Sequence, residues 1–129
     1  MVHPFRAAIE ARDIDAAVAL LSEDVAFRSP IVFKPYRGRR AVAPLLHAVS
    51  RVFEDFRYLR EIGSEDAADH ALVFQARVGD QQVEGCDFLH TDPHGSIDEF
   101  VVMVRPLTAA LALAEAMKVQ LAGTEGNGR

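Results

Sequence analysis

The sequence predicts an α+β fold in which helices close one side of a cone-shaped, strongly curved antiparallel sheet. Two observations support this fold class. Apolar residues recur at helical spacing in the first half of the chain and alternate at strand spacing in the second half. The four strand-like segments of the second half are joined by short turns, which connect antiparallel neighbours. A bent sheet closed by helices encloses one pocket, where a ligand is usually held.

Two short helices and a strand are expected first. Phe5 and Ile9 lie on one face of the first helix, and Asp13 is a typical N-cap for the second. We expect the second helix to end at residues 22–24. Residues 25–29 then form a short strand, because the proline at position 30 favours an extended residue before it.

A third helix has the clearest helical periodicity. Pro44 is tolerated only in the first turn of a helix, so this helix is expected to begin near Arg40, after a loop at residues 34–38. Its apolar stripe comprises Val42, Leu45, Leu46, Val49, Val52 and Phe53.

The second half predicts four strands and a final helix. The strands are expected at residues 56–62, 70–78, 83–90 and 97–105. Gly79-Asp80 and the segment from Asp92 to Gly95 supply turn residues between them. Thr108 is placed to cap the last helix, whose buried side is expected to comprise Leu111, Ala114, the stem of Lys118, and Leu121.

The composition favours one globular domain, residues 1–121, followed by a flexible tail at 122–129. Half of the 129 residues are apolar and the net charge is -5, so nucleic acids and anionic membranes are poor partners. No apolar run approaches the roughly 20 residues of a membrane helix, and no secretory signal is visible. The single cysteine, Cys86, is read as a small apolar filler and fits a reducing compartment, so we expect a cytoplasmic protein.

Asp87 is the most informative candidate for chemistry. It lies in the middle of a predicted strand, where aspartate is rare. Val83, Gly85 and Leu89 share its face, and a carboxyl group among apolar neighbours tends to stay protonated. Such a group can donate a hydrogen bond or act as a general acid. The alternative is a solvent-facing aspartate, or one paired with Arg77 or Arg105.

Two other polar groups of residues have simpler interpretations. His90, Asp92 and His94 are metal-ligand types, but they span a tight turn and no further ligand is spaced to complete a site, so we expect no metal. The basic cluster at residues 34–40 is interpreted as a solvated loop rather than an anion site.

Three segments carry a resemblance to a known superfamily: residues 11–15 leading into 18–25, Ser29-Pro30 followed by 35–39, and 85–89 followed by 97–100. In this order and spacing they resemble the nuclear transport factor 2-like superfamily, in particular its SnoaL-like and ketosteroid-isomerase-like enzymes. The likeness extends from about Phe5 to Leu121. It implies a cone-shaped α+β barrel that is commonly dimeric through the outer face of its sheet.

The resemblance also implies site residues. In ketosteroid isomerases an aspartate before a proline abstracts a proton, and a tyrosine on the first helix and a protonated strand aspartate stabilise the enolate. The matching positions here are Ser29, Phe5 and Asp87, so only the last retains its chemistry. SnoaL-like cyclases use acid-base Asp and His residues in the same cavity. The expected pocket residues are Phe5, Phe27, Ser29, Leu46, Gly85, Leu89, Phe100 and Val102.

Two functions remain open. In the first, the chain is an enzyme that needs no cofactor, and Asp87 gives or takes a proton during isomerisation, cyclisation or dehydration of an apolar carbonyl compound. In the second, the pocket holds a small apolar ligand without transforming it, which the residues at positions 5 and 29 favour. In either case the outer sheet face is expected to form a homodimer interface through Cys86, Phe88, Val101 and Met103.

Overall fold

A curved, unclosed six-stranded sheet forms the centre of the structure. The structure is a computed structural model that describes residues 2–127, with side chains described to residue 122. In chain order the elements are α1 (Pro4–Glu10), α2 (Ile14–Ala19), β1 (Leu21–Arg28), β2 (Tyr36–Arg37), α3 (Arg39–Val52), β3 (Glu54–Ile62), β4 (Asp69–Val78), β5 (Gln81–Thr91), β6 (Ile97–Arg105) and α4 (Leu107–Asn127).

The strand order is β2-β1-β6-β5-β4-β3, so the sheet has β2 and β3 at its two edges. The long strands β3 to β6 pair antiparallel with their neighbours in sequence. β1 instead pairs parallel with β6, so the predicted all-antiparallel sheet is corrected at this one pairing. A parallel pairing needs a long connection between the two strands, and here α3 and four strands lie between β1 and β6.

The predicted alternation of the second half is confirmed. β6 has the predicted bounds, and every second residue of β4 from His70 to Val78 is buried. On the inner face, Leu72, Phe74 and Val78 join one hydrophobic core with side chains of α1, α3 and α4. The inner face of the sheet and the helices that cover it therefore enclose the centre of the molecule.

The first half departs from prediction where long-range pairing decides the structure. Residues 22–24 belong to β1 rather than to a helix end, because Leu21 is buried and pairs with Ile97. α3 begins at Arg39, close to the predicted start, but Pro44 is its sixth residue and therefore lies beyond the first turn. The expected loop at 34–38 contains the short strand β2.

The final helix presents a different side to the core from the one predicted. Ala109 and Leu113 are buried, whereas Leu111 is 62% exposed. Apolar residues occur around α4, including the exposed Leu107 and Val119, so the sequence offers more than one possible stripe. α4 continues to Asn127, and the flexibility expected for residues 122–129 stays a prediction because residues 128–129 lie outside the described part.

None of the described helices combines the length and the apolar character needed to cross a membrane.

Candidate functional site

A cavity of about 330 Å³ lies between the inner face of the sheet and the helices. This is within the usual range of small-molecule sites, about 300 to 1,000 Å³. Its walls are mainly apolar and include Phe5, Phe27, Leu46, Phe53, Phe74, Phe100, Val102 and Leu113. The polar side chains on the lining are Glu10, Arg12, Ser50, Tyr58 and Asp87. We call this space the central cavity.

Asp87 lies on the inner face of β5 and is only 5% exposed. The hydroxyl of Tyr58 donates a hydrogen bond of 2.8 Å to its Oδ2. Its Oδ1 has no hydrogen-bond partner among the residues that the structure describes. One carboxyl oxygen is thus held by the protein, and the other is available to a molecule in the central cavity.

Burial changes the acid-base properties of this pair. Desolvation raises the pKa of Asp87 from 3.8 to about 7, and the hydrogen bond from Tyr58 opposes part of that rise. The pKa of Tyr58 is raised well above its ordinary value, first by burial and then by the charge on Asp87. Near neutral pH, Asp87 therefore populates both its acid and its carboxylate form, while Tyr58 remains a donor.

A small residue in β5 allows the aromatic wall to pack closely. Tyr58 in β3 pairs with Phe74 in β4, which pairs with Gly85 in β5. A Cβ on Gly85 would collide with Cζ and Cε2 of the Phe74 ring and lie 2.9 Å from the carbonyl oxygen of Met103. The ring of Phe74 occupies this space, beside the side chains of Tyr58 and Phe56.

Five of the eight predicted pocket residues line the central cavity: Phe5, Phe27, Leu46, Phe100 and Val102. They come from α1, β1, α3 and β6. Phe100 makes edge-to-face contacts with both Phe5 and Phe27, with ring centroids 5.1 and 5.2 Å apart. These contacts fix the rings that form the apolar wall.

The other three predicted pocket residues lie outside the lining. The hydroxyl of Ser29 accepts hydrogen bonds from the backbone N–H groups of Ile31 and Val32, so it shapes the loop after β1. Gly85 is covered by Phe74. Leu89 is 1% exposed and belongs to the packed core. The inward-facing alternation of β5 was predicted, but it does not reveal which inward residues reach open space.

Tyr58 is the functional candidate that the sequence analysis missed. It lies in the strand predicted at residues 56–62, but the sequence analysis did not connect it to Asp87. A buried tyrosine hydroxyl usually needs a polar partner, and of the two tyrosines in the chain only Tyr58 lies among the long strands. The need of a buried Tyr58 hydroxyl for a polar partner is the signal by which the sequence could have connected it to Asp87.

The mouth of the central cavity carries opposite charges. Glu10 and Arg12 are exposed lining residues at the end of α1 and in the turn that follows it. Arg6 Nε lies 3.2 Å from Glu10 Oε2, and the same guanidinium lies 3.6 Å from Glu61. The guanidinium of Arg12 has no hydrogen bond or ion pair with any described residue.

The remaining candidates have structural partners. His90 Nδ1 lies 2.6 Å from Asp98, and Asp92 accepts hydrogen bonds from the backbone of His94 and Ser96 within the turn. In the part of the chain that the structure describes, no three His, Cys, Asp or Glu side chains converge as a metal site. The thiol of Cys86 has its pKa raised by burial, which disfavours the reactive thiolate.

Comparison with known proteins identifies relatives of the whole arrangement. Residues 2–100 match the SnoaL-like domain. The chain is similar to the structure of a steroid delta-isomerase from Pseudomonas aeruginosa, with 41% sequence identity and a TM-score of 0.88, covering 93% of this chain and 88% of that one. It is also similar to an uncharacterized protein with a cystatin-like fold from Silicibacter pomeroyi, at 35% identity and a TM-score of 0.86, with 92% and 83% of the two chains covered.

More distant structures share the fold alone. One is SalBIII, an epoxide hydrolase/cyclase-like enzyme of pyran ring formation in the polyether salinomycin, at 18% identity and a TM-score of 0.65, with 81% of this chain and 87% of that one covered. Comparison with the curated proteins found no match.

Proposed function

The chain belongs to the SnoaL-like family of the nuclear transport factor 2-like superfamily, and on this basis we propose that it is an isomerase that moves a proton beside the carbonyl group of an apolar compound. The observation that carries this proposal is the Asp87 carboxyl, buried in an apolar cavity with a pKa of about 7 and with one oxygen not bonded to the protein. The similarity to a protein described as a steroid delta-isomerase supports the same reaction type.

In the proposed reaction, Asp87 carries the proton. Its carboxylate removes a proton from the carbon between the carbonyl group and a C=C bond, and the C–H electron pair forms a dienolate with its charge on the carbonyl oxygen. Neutral Asp87 then returns the proton to the γ-carbon, which restores the carbonyl group and leaves the C=C bond conjugated with it. A base with a pKa near the working pH suits this task. The shift is redox-neutral, so it requires no cofactor.

Tyr58 positions Asp87 for this role. Its hydroxyl occupies Oδ2 and leaves Oδ1 for the substrate. The other carboxyl group on the lining, Glu10, is paired with Arg6 at the exposed mouth, so it is a weaker candidate for the base. Ser29 is at the position that resembles that of the isomerase base, and its hydroxyl accepts a hydrogen bond from the backbone N–H of Val32 in the loop after β1.

The test is turnover of 5-androstene-3,17-dione, a β,γ-unsaturated ketone whose conjugated product absorbs in the ultraviolet. We expect conversion by the wild-type protein, with kcat/KM rising as pH increases through about 7, since the carboxylate is the active form. Asp87→Asn keeps the size and polarity and removes titration, so it should lose at least roughly 100-fold. Unchanged turnover in this variant would exclude Asp87 as the proton carrier.

The alternative is a non-catalytic binding protein. The departures at Ser29 and Phe5 from the isomerase pattern favour it. It predicts that steroid ketones bind in the central cavity and are recovered unchanged, with binding weakened by Asp87→Asn. Binding without conversion in the turnover assay would select this alternative.

We also propose that the outer sheet face is the interface of a homodimer. Val101 pairs with Phe88 and Met103 with Cys86 across β5 and β6. Phe88 and Met103 are 40% and 58% exposed, so neighbouring apolar side chains face outward. The ion pairs Arg28–Glu99 and Arg105–Glu84 lie beside this patch, as in the polar rim of a subunit contact.

A second copy is the occupant that this surface fits, because a two-fold axis places the same apolar patch on itself. The measurement is sedimentation at micromolar concentration, where a monomer would contradict the proposal.

The single half-buried Cys86 further supports a cytoplasmic location, since an unpaired thiol suits a reducing compartment.

A further inference from the structure

The polar residues on the lining of the central cavity fall into a buried pair and an exposed pair. Asp87 and Tyr58 are buried at its inner end, whereas Glu10 and Arg12 are exposed where it meets solvent. A ligand that reaches from one end to the other therefore places one part beside the carboxyl of Asp87 and another beside the charges at the mouth.

The carboxylate at the mouth already has a partner within the protein. Glu10 pairs with Arg6 at 3.2 Å through adjacent turns of α1. Arg6 also lies 3.6 Å from Glu61 in β3. The guanidinium of Arg12 has no such partner among the described residues, so it is the charged group on the lining that remains open to a ligand.

The backbone at Arg12 holds this side chain in an unusual conformation. Its φ is 59°, in the left-handed region where glycine is the usual residue after a helix. The N–H of Arg12 donates to the carbonyl of Ile9 at 3.0 Å, and that of Asp13 donates to Ala8 at 2.9 Å. These bonds close α1 and fix the position from which the Arg12 side chain lines the cavity.

An arginine in a glycine-like conformation is a strained choice. The turn itself would form more easily with glycine at this position. A role of the side chain at the mouth of the central cavity, which Arg12 lines, would account for arginine at this position.

We propose that the ligand of the central cavity is anionic at one end, with a carboxylate or sulfonate-type group bound by Arg12 and an oxygen function placed against Asp87. A guanidinium binds such groups through two parallel hydrogen bonds. The inference rests on the proposed function, which it narrows from apolar carbonyl compounds to those with an acidic group at the far end.

Fluorescence titration with three matched probes tests this inference. The probes are 6-hydroxy-2-naphthoate, 6-hydroxynaphthalene-2-sulfonate and the neutral methyl ester of the first. Each carries a hydroxyl group for Asp87, and only the first two carry an anion for Arg12. We expect the wild-type protein to bind an anionic probe about tenfold more tightly than the ester at low ionic strength, with the preference shrinking as salt is added.

Variants separate this inference from the proposed function. Arg12→Gln should bring the ratio of anion to ester affinities to about 1 without changing the affinity for the ester. Arg40→Gln is the matched control, since it removes an exposed charge that does not line the cavity, and it should leave the ratio unchanged. Asp87→Asn should weaken all three probes alike, which tests the proposed function and not the anion site.

Several outcomes would overturn the anion site. Equal affinities of wild-type protein for all three probes would do so while leaving the proposed function intact. A uniform loss of affinity in Arg12→Gln would show that Arg12 only shapes the wall. Failure of every probe to bind the wild-type protein would overturn the inference together with the ligand-binding role of the cavity.

Discussion

The hydroxyl of Tyr58 and the carboxyl of Asp87 meet at 2.8 Å on the inner face of the sheet, although the residues are 29 positions apart in the chain. No described cation forms an ion pair with this carboxyl. Its ionisation is therefore governed by burial and by one neutral donor, in contrast to the salt-bridged carboxylates on the surface. Both the stability and the chemistry of the protein should depend on this pair.

Asp87→Asn should remove a pH dependence of stability. In the folded state, Asp87 has a pKa of about 7 and keeps its proton below that pH. In the unfolded state, an aspartate loses its proton near pH 4. Between these values the folded state binds more protons, so stability falls as pH rises, by up to about 1.4 kcal/mol per pH unit. Urea titrations should give wild-type protein a loss of roughly 3 kcal/mol between pH 4 and 7 that Asp87→Asn lacks.

Parallel pH curves for the two proteins would contradict this prediction. They would mean that Asp87 ionises at the same pH in the folded and unfolded states, and the carboxyl could not then serve as a base tuned to neutral pH.

Tyr58→Phe should raise the pKa of Asp87 further, because the hydrogen bond that it removes favours the carboxylate. The same change should cost about 1 kcal/mol of stability through the lost hydrogen bond. Carbon-13 NMR titration of the Asp87 carboxyl measures the first effect. Tyr36→Phe is the control, since that ring lines no part of the cavity. An unchanged or lowered pKa in Tyr58→Phe would contradict the positioning role.

The inner face of β4 and β5 could be predicted because its pattern is local. Alternation from Leu72 to Val78, a Gly79-Asp80 turn and apolar neighbours around Asp87 all indicate strands with one buried face, and the structure confirms these strands. Side-chain alternation places Asp87 on the same face as Val83 and Leu89, and the structure shows that this face is the buried one.

The partner of Asp87 could not be predicted because it depends on register. β3 pairs with β4 through two irregularities, between Glu54 and Arg57 and between Tyr58 and Arg60. The second irregularity ends the simple alternation of β3, so Glu61 rather than Arg60 or Ile62 is sheltered. Such shifts reflect pairing between strands, and the sequence of one strand does not contain them.

Gly85→Ala should destabilise the protein by about 1 to 3 kcal/mol, the usual cost of overpacking. The added methyl group would overlap the Phe74 ring, and Phe74 lines the central cavity. Thermal unfolding of Gly85→Ala, Phe74→Leu and the double variant measures the coupling between the two positions. We expect Gly85→Ala to lower the stability less in the Phe74→Leu background than in the wild-type background. An equal loss of stability in both backgrounds would show that the Phe74 ring does not restrict the size of the side chain at position 85.

Met103→Lys should convert the proposed dimer to a monomer without unfolding the chain, because the Met103 side chain is 58% exposed and is not part of the hydrophobic core. A charge at the centre of an apolar contact opposes association. Light scattering after gel filtration measures the mass. Leu111→Lys is the matched control, as its side chain is 62% exposed on α4, and this variant should remain dimeric. Dissociation of both variants, or of neither, would contradict the outer-face interface.

Arg12→Gly should raise stability while removing the preference for anionic ligands. Glycine adopts the φ of 59° found at this position without steric cost, so relief of strain should stabilise the folded state by about 1 kcal/mol. Arg12→Lys separates the two effects, since it keeps both the strain and a positive charge. We expect it to match the wild-type protein in stability and to retain part of the anion preference. Urea unfolding and the probe titrations measure the two properties on the same samples. If Arg12→Gly were no more stable than the wild-type protein, the left-handed turn would be unstrained, and the argument that its conformation serves the ligand would lose its basis.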